Sequence, residues 1–145
     1  MCQQCNYSEW LESSGLGVTR NRLLILEIVG SNNYPLSAQD IYETLARNRA
    51  INRVTVYRIL DLLVEYSLID RLSGGGRFFF YGLAPNDHHR PHPHFYCKSC
   101  GNMHCLSPES LSVDQEQLHR TFPGRIEKVE VRVEGVCRNC LRSDK

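Results

Sequence analysis

Apolar residues in the first half of the chain recur at helical spacing, and each set stands behind a residue suited to cap a helix. Thr19 precedes Leu23, Leu24, Leu26, Ile28 and Val29, and the turn-prone GSNNYP stretch follows them. Ser37, with Asp40 three residues on, opens a second set of Ile41, Tyr42 and Leu45, while Asn52 opens a third of Val56, Ile59, Leu60 and Leu63. LIDRLSGGGRFFFYGL comes next, two short apolar runs about a glycine-rich turn, which predicts a hairpin. Three helices followed by a hairpin is the order of a winged helix.

The pattern then changes. APNDHHRP is polar and turn-rich, and marks a hinge at residues 84–91 between a first domain at 1–83 and a second at 92–145. In the second domain the spacing predicts strands at HFYC and MHCL around a KSCGN turn. A helix is expected from Ser107-Pro108-Glu109 to about His119, with serine as cap and proline in the first turn. The alternation of IEKVEVRV predicts a half-buried strand. The fold class is therefore α+β, a winged helix followed by a small α/β domain.

Composition fits a folded protein, with 41% hydrophobic and 23% charged residues. There is no apolar run of about 18 residues and no basic-then-apolar N-terminal segment, so a cytoplasmic protein with no membrane partner is expected. A net charge of +1 says little about partners, but its distribution says more. Between Thr44 and Leu60 stand Arg47, Arg49, Arg53 and Arg58 and no acidic residue. On the third helix, Arg53, Thr55, Tyr57 and Arg58 are placed to meet phosphates and base edges, with Arg77 at the hairpin tip as a wing contact. The competing reading is an amphipathic helix with a solvated face.

Seven cysteines are many for a reducing compartment, and their odd number argues against a closed disulfide framework. Cys97/Cys100 and Cys137/Cys140 form two Cys-x-x-Cys pairs 36 residues apart, each beside a glycine, which is the spacing of a four-thiolate structural zinc site. A redox dithiol would need only one pair. Cys2 and Cys5 read as free thiols on a frayed terminus, and Cys105 is an outside candidate for a metal.

Four of the six histidines, His88, His89, His92 and His94, fall within seven residues just before Cys97. His92 and His94 flank Pro93, so in an extended segment they face the same side and suit a second, regulatory metal. His88, His89 and Asp70 are further candidates. Alone, a His-Pro-His segment reads as a solvated loop; beside a zinc knuckle and a winged helix, a ligand pair is the better reading. A zinc enzyme is the rival of another class, but no glutamate stands in an H-x-E arrangement to act as general base, so no catalytic residue and no small-molecule substrate are expected.

GLGVTRNRLLILEIV, LSAQDIYETL, NRVTVYRILDLLVEYSLI, HPHFYCKSCG and GVCRNC resemble, in order and spacing, the ferric uptake regulator family of metal-dependent repressors. The resemblance covers roughly residues 15–142. It implies a homodimer whose C-terminal domain dimerises, binding an AT-rich palindromic operator when its sensory site is loaded, with Tyr57 reading DNA and the four paired cysteines holding structural zinc. His92 and His94 match the paired family histidines, and Asp70 matches an aspartate ligand of some zinc-sensing members. Pro35 and Gly82 stand where the family often has ligands, and Ser112 and Val129 fall where a further family site would be. An imidazole-dominated set favours zinc over ferrous or manganous ions and so a zinc uptake regulator. Iron, manganese or peroxide sensing within the same family is the alternative.

Overall fold

In a computed structural model of the chain, the structure describes residues 6–74, 78–86 and 90–143. The chain divides into two compact units, Met1–Arg90 and Pro91–Lys145.

The first unit is built on α1 (Tyr7–Ser14), α2 (Arg20–Ser31), β1 (Leu36–Ser37), α3 (Ala38–Ala46), α4 (Arg53–Glu65), β2 (Ile69–Ser73) and β3 (Phe79–Leu83). The caps read from sequence operate. Thr19 accepts from the Arg22 N–H at 3.2 Å, and Ser37 and Asp40 form a reciprocal capping box. Asn52 accepts from the Thr55 N–H at 2.8 Å. Each satisfies a backbone donor that the first helical turn leaves unpaired. The hairpin forms as expected, and β1 adds a third strand to give the order β1-β3-β2, all antiparallel. This is a winged helix.

Apolar spacing does not foretell α1, which is short, polar and buries only Leu11. Its signals are the ends: Asn6 accepts from the Glu9 N–H at 3.0 Å, and Gly15 closes the helix in the left-handed region at φ +86°. Gly30 of α2 lets Tyr7 lie flat against it, since a Cβ there would sit 2.3 Å from the tyrosine oxygen. Leu11, Ile25, Leu26, Ile41, Val56, Leu60 and Leu63 are fully buried in one core with Leu68, Ile69 and Tyr81. Leu60→Ala will leave a cavity at the centre of that core and cost about 3 kcal/mol of stability. A urea titration followed by helical circular dichroism checks it; an unchanged midpoint would place Leu60 outside the core.

The second unit contains β4 (His94–Cys97), β5 (Met103–Cys105), α5 (Gln115–Thr121), β6 (Arg132–Gly135) and α6 (Arg138–Ser143). β4 pairs antiparallel with β5 and parallel with β6, in the order β5-β4-β6. Two expectations are corrected. The segment after Ser107 makes only a turn, closed by Ser110 N–H to Ser107 C=O at 3.0 Å, and α5 starts at Gln115, where Asp114 accepts from the Gln117 N–H at 3.0 Å. Ser112 and the β-branched Val113 support helix poorly, so a capable start at Ser107 does not propagate. The strand expected over 126–133 is confined to Arg132–Gly135, because β4 offers a ladder only opposite those residues.

This unit has almost no core. Cys97 and Met103 are its buried hydrophobic residues among those described, whereas Leu111, Val113, Phe122, Val129, Val133 and Leu141 are exposed. A sheet of three strands with so little buried behind it needs a cross-link, a partner, or both.

Candidate metal centres and nucleic-acid interface

The β4–β5 turn and the start of α6 bring four cysteines together. Gly101, at φ +76°, turns the chain sharply enough for its N–H to reach the Cys97 carbonyl at 2.8 Å. Lys98 N–H donates to the Gly135 carbonyl at 2.9 Å and ties the second Cys-x-x-Cys to the first. Cys97 Sγ lies 3.7 Å from Cys140 Sγ, Cys100 Sγ lies 3.9 Å from Cys137 Sγ, and all four sulfurs fall within 4.8 Å of one another. Those separations are far beyond an S–S bond of about 2.05 Å. They match the roughly 3.8 Å edge of a tetrahedron of sulfurs each about 2.3 Å from a zinc ion.

Protonation supports the same reading. The N–H groups of Cys100 (3.5 Å) and Cys137 (3.3 Å) point at Cys97 Sγ, and these hydrogen bonds lower its pKa to about 6. Cys140 is pushed up to about 12, first by its hydrogen bond with Cys137 and then by burial; Cys100 is raised as well. One thiolate is thus stabilised by the backbone, and Cys100 and Cys140 resist ionising beside it. Four thiolates stand together only around a cation, and the donor set fits zinc.

A second group lies on β4, on the segment just before it, and on β5. His92, His94 and Cys105 place their ligating atoms within 4.8 Å of one another. The His92 and His94 rings are 4.6 Å apart between centroids, and His94 stands directly opposite Cys105 in the ladder. His104, one residue earlier, pairs with Phe95 instead. Burial, the charge of His92 and Lys128 together lower the His94 pKa to about 4, so its imidazole is neutral at pH 7 and its lone pair is available. Cys105 is exposed as a residue, yet desolvation of its sulfur raises the thiol pKa. Asp70 lies on β2 of the first unit, opposite Gly82. His88 and His89 lie outside the described residues, as do Cys2, Cys5 and Arg77.

On α4 the structure sorts the four residues singled out for DNA. Arg53 turns back onto α3, where its guanidinium donates to Gln39 Oε1 and lies 4.6 Å over the Tyr42 ring. It fastens α4 to α3. Thr55 is half-buried, while Tyr57 and Arg58 are exposed on the first two turns. Val54, which residue-by-residue reading passed over, is exposed beside them. Asp61 continues this face and is paired with Arg71 of β2, which also stacks on Phe79 and Tyr81. The pair keeps a carboxylate on this face from standing as an uncompensated negative charge.

The sequence pattern of the Ferric uptake regulator family matches residues 13–134. The chain is 30% identical to the ferric uptake regulation protein of Bordetella parapertussis, covering 91% of this chain and 94% of that protein. It is 27% identical to that of Haemophilus influenzae, covering 92% and 91%. The crystal structure of the Vibrio cholerae ferric uptake regulator superposes with a TM-score of 0.73 at 25% identity, covering 91% of this chain and all of that one. With a winged helix, a small α/β domain and a four-cysteine cluster, the chain belongs to the ferric uptake regulator family: it is a metal-responsive transcriptional regulator and not an enzyme.

Proposed function

We propose that the chain is a zinc-sensing repressor whose sensory ligands are His92, His94 and Cys105. The observation that supports zinc is the chemistry of that group: two imidazole nitrogens and a sulfur within 4.8 Å of one another. Ferrous and manganous sites draw more heavily on carboxylate oxygen, whereas nitrogen and sulfur together suit tetrahedral zinc. A fourth ligand comes from Asp70, His88 or His89. Cys97, Cys100, Cys137 and Cys140 hold a separate structural zinc, whose positive charge lets four thiolates share one site. The exposed apolar residues of the second unit are covered by the partner subunit.

In this reading the chain from 84 to 91 is a hinge that leads directly into His92, so ligation there restricts the hinge. Restriction selects the dimer arrangement that spaces two α4 helices for successive major grooves. Tyr57 reads bases, and Arg58 contacts phosphate. The protein works where the DNA is, in the cytoplasm.

The test is DNA binding by demetallated protein titrated in parallel with zinc, ferrous and manganous ions, on duplexes enriched from a random library. Zinc is expected to activate at the lowest free concentration; activation by iron or manganese at lower free concentration would overturn the zinc assignment. In the same assay Tyr57→Ala will lower discrimination against mismatched sites by about tenfold. Arg58→Ala will weaken all sequences alike and reduce the salt slope by about one. Unchanged affinity in both would move the reading element off α4.

A further inference from the structure

Val54 is 56% exposed and Tyr57 41% exposed, and they are the large apolar side chains that α4 leaves in solvent. Both lie in its first two turns. The rest of its exposed face is charged, through Arg53, Arg58, Asp61 and Glu65. A β-branched residue gains little from an exposed helical position, where it loses side-chain freedom and buries nothing. Val54 is one turn from both Tyr57 and Arg58, so the three make one strip at the end of the helix that enters a groove first. Arg53 is drawn away to Gln39 and Tyr42, which leaves Val54 as the leading side chain of that strip.

We infer that Val54 is a specificity-determining residue, packing on the 5-methyl group of a thymine in each operator half-site. The inference rests on α4 being the reading element. A major groove offers an isopropyl group one apolar feature, the thymine methyl; guanine, adenine and cytosine present donors and acceptors there that a valine would desolvate without pairing. Side chains three residues apart on a helix stand about 5–6 Å from each other, against a base rise of about 3.4 Å. Val54 therefore addresses a base one or two steps from the one under Tyr57.

The experiment uses the full-length dimer loaded with the metal that activates it. Wild type and Val54→Ala are each used to enrich duplexes from a random library, and wild type is then measured on its enriched site with single thymines replaced by deoxyuridine, which lacks only the methyl. Alanine is the better helix former and Val54 fills no core, so the variant folds. Val54→Ala is expected to lose the preference for thymine at one position per half-site. Deoxyuridine at that position is expected to weaken wild type about fourfold per half-site, the worth of one buried methyl group, and to leave Val54→Ala unaffected. Identical enriched motifs, or a deoxyuridine effect equal in both proteins, would overturn the inference. Tyr57→Ala separates this from a failure of the reading element: if it loses discrimination while Val54 and the methyl are silent, α4 reads the DNA without Val54, and if it too is silent, both assignments fall.

Discussion

Cys137→Ser will release one zinc per subunit and unfold the second unit while leaving the winged helix folded. Serine oxygen is a poor zinc ligand, so the variant offers three sulfurs and an open position, and the stabilisation lost is that of the metal cross-link itself. In small metal-dependent domains that stabilisation is on the order of 10–16 kcal/mol at neutral pH, against a total stability of about 5–15 kcal/mol for a domain. Nothing else in the unit replaces it. Cys97 and Met103 are its buried hydrophobic residues among those described, and Cys97 is itself one of the four clustered cysteines. Cys137 also donates its N–H to Cys97 Sγ, so the two arms of the knuckle separate together. The first unit keeps its own core of Leu11, Ile25, Leu26, Ile41, Leu60 and Leu63. Metal analysis, sedimentation and thermal melting should therefore show zinc reduced by one, dimer lost and one cooperative transition remaining. A chelator strong enough to strip the site should do the same to wild type. A folded dimer with unchanged zinc content would show that the cysteines are not its ligands.

The parts of this architecture that were legible in the sequence are those in which one signal is local and strong. Thr19, Ser37 and Asn52 each combine a capping side chain with apolar positions at helical spacing, and all three cap in the structure. The two Cys-x-x-Cys pairs announce their own geometry, because two residues between cysteines leave little choice about which way the sulfurs face. Where the outcome depended on a partner, sequence was a poorer guide. IEKVEVRV alternates over its whole length, yet a strand exists only where β4 lies beside it. Ser107 and Pro108 are a competent helix start that the residues after them do not extend.

The same distinction runs through the candidate functional residues. Cys105 became a member of the histidine group through the β4–β5 register, which sets it opposite His94, and a slip of one residue would have presented His104 instead. Arg53, expected at the DNA by charge alone, is exposed and also touches Gln39 and Tyr42 of the neighbouring α3, which sequence spacing does not foretell. Val54 had a signal available, its spacing of three from Tyr57. An apolar residue on a helix is ordinarily assigned to the core, and only its exposure contradicts that.

His92→Ala combined with His94→Ala will leave a folded dimer with its knuckle zinc and abolish the dependence of operator binding on added metal. The variant removes two of the three clustered ligating atoms and cannot form a chelate. Neither side chain belongs to the buried core, so the fold of the second unit continues to rest on the cysteines. The size of the effect follows from the switch. Moving a regulator from about 1:99 to 99:1 in favour of its DNA-binding arrangement needs a preference of roughly 10⁴-fold for that arrangement, and removal of the ligands forfeits it. Because His94 is neutral at pH 7, its ligand strength is not masked by a proton, and the loss in the variant reads directly as lost coordination. Cys105→Ser, tested alongside, should weaken zinc activation by more than about tenfold while affecting an oxygen-preferring ion less, since it exchanges sulfur for oxygen. Operator titrations at buffered free zinc, with total zinc per subunit measured on the same samples, distinguish the two sites. Metal-dependent binding that persists in the double variant, with the knuckle zinc retained, would make His92 and His94 a solvated loop and place the sensor elsewhere.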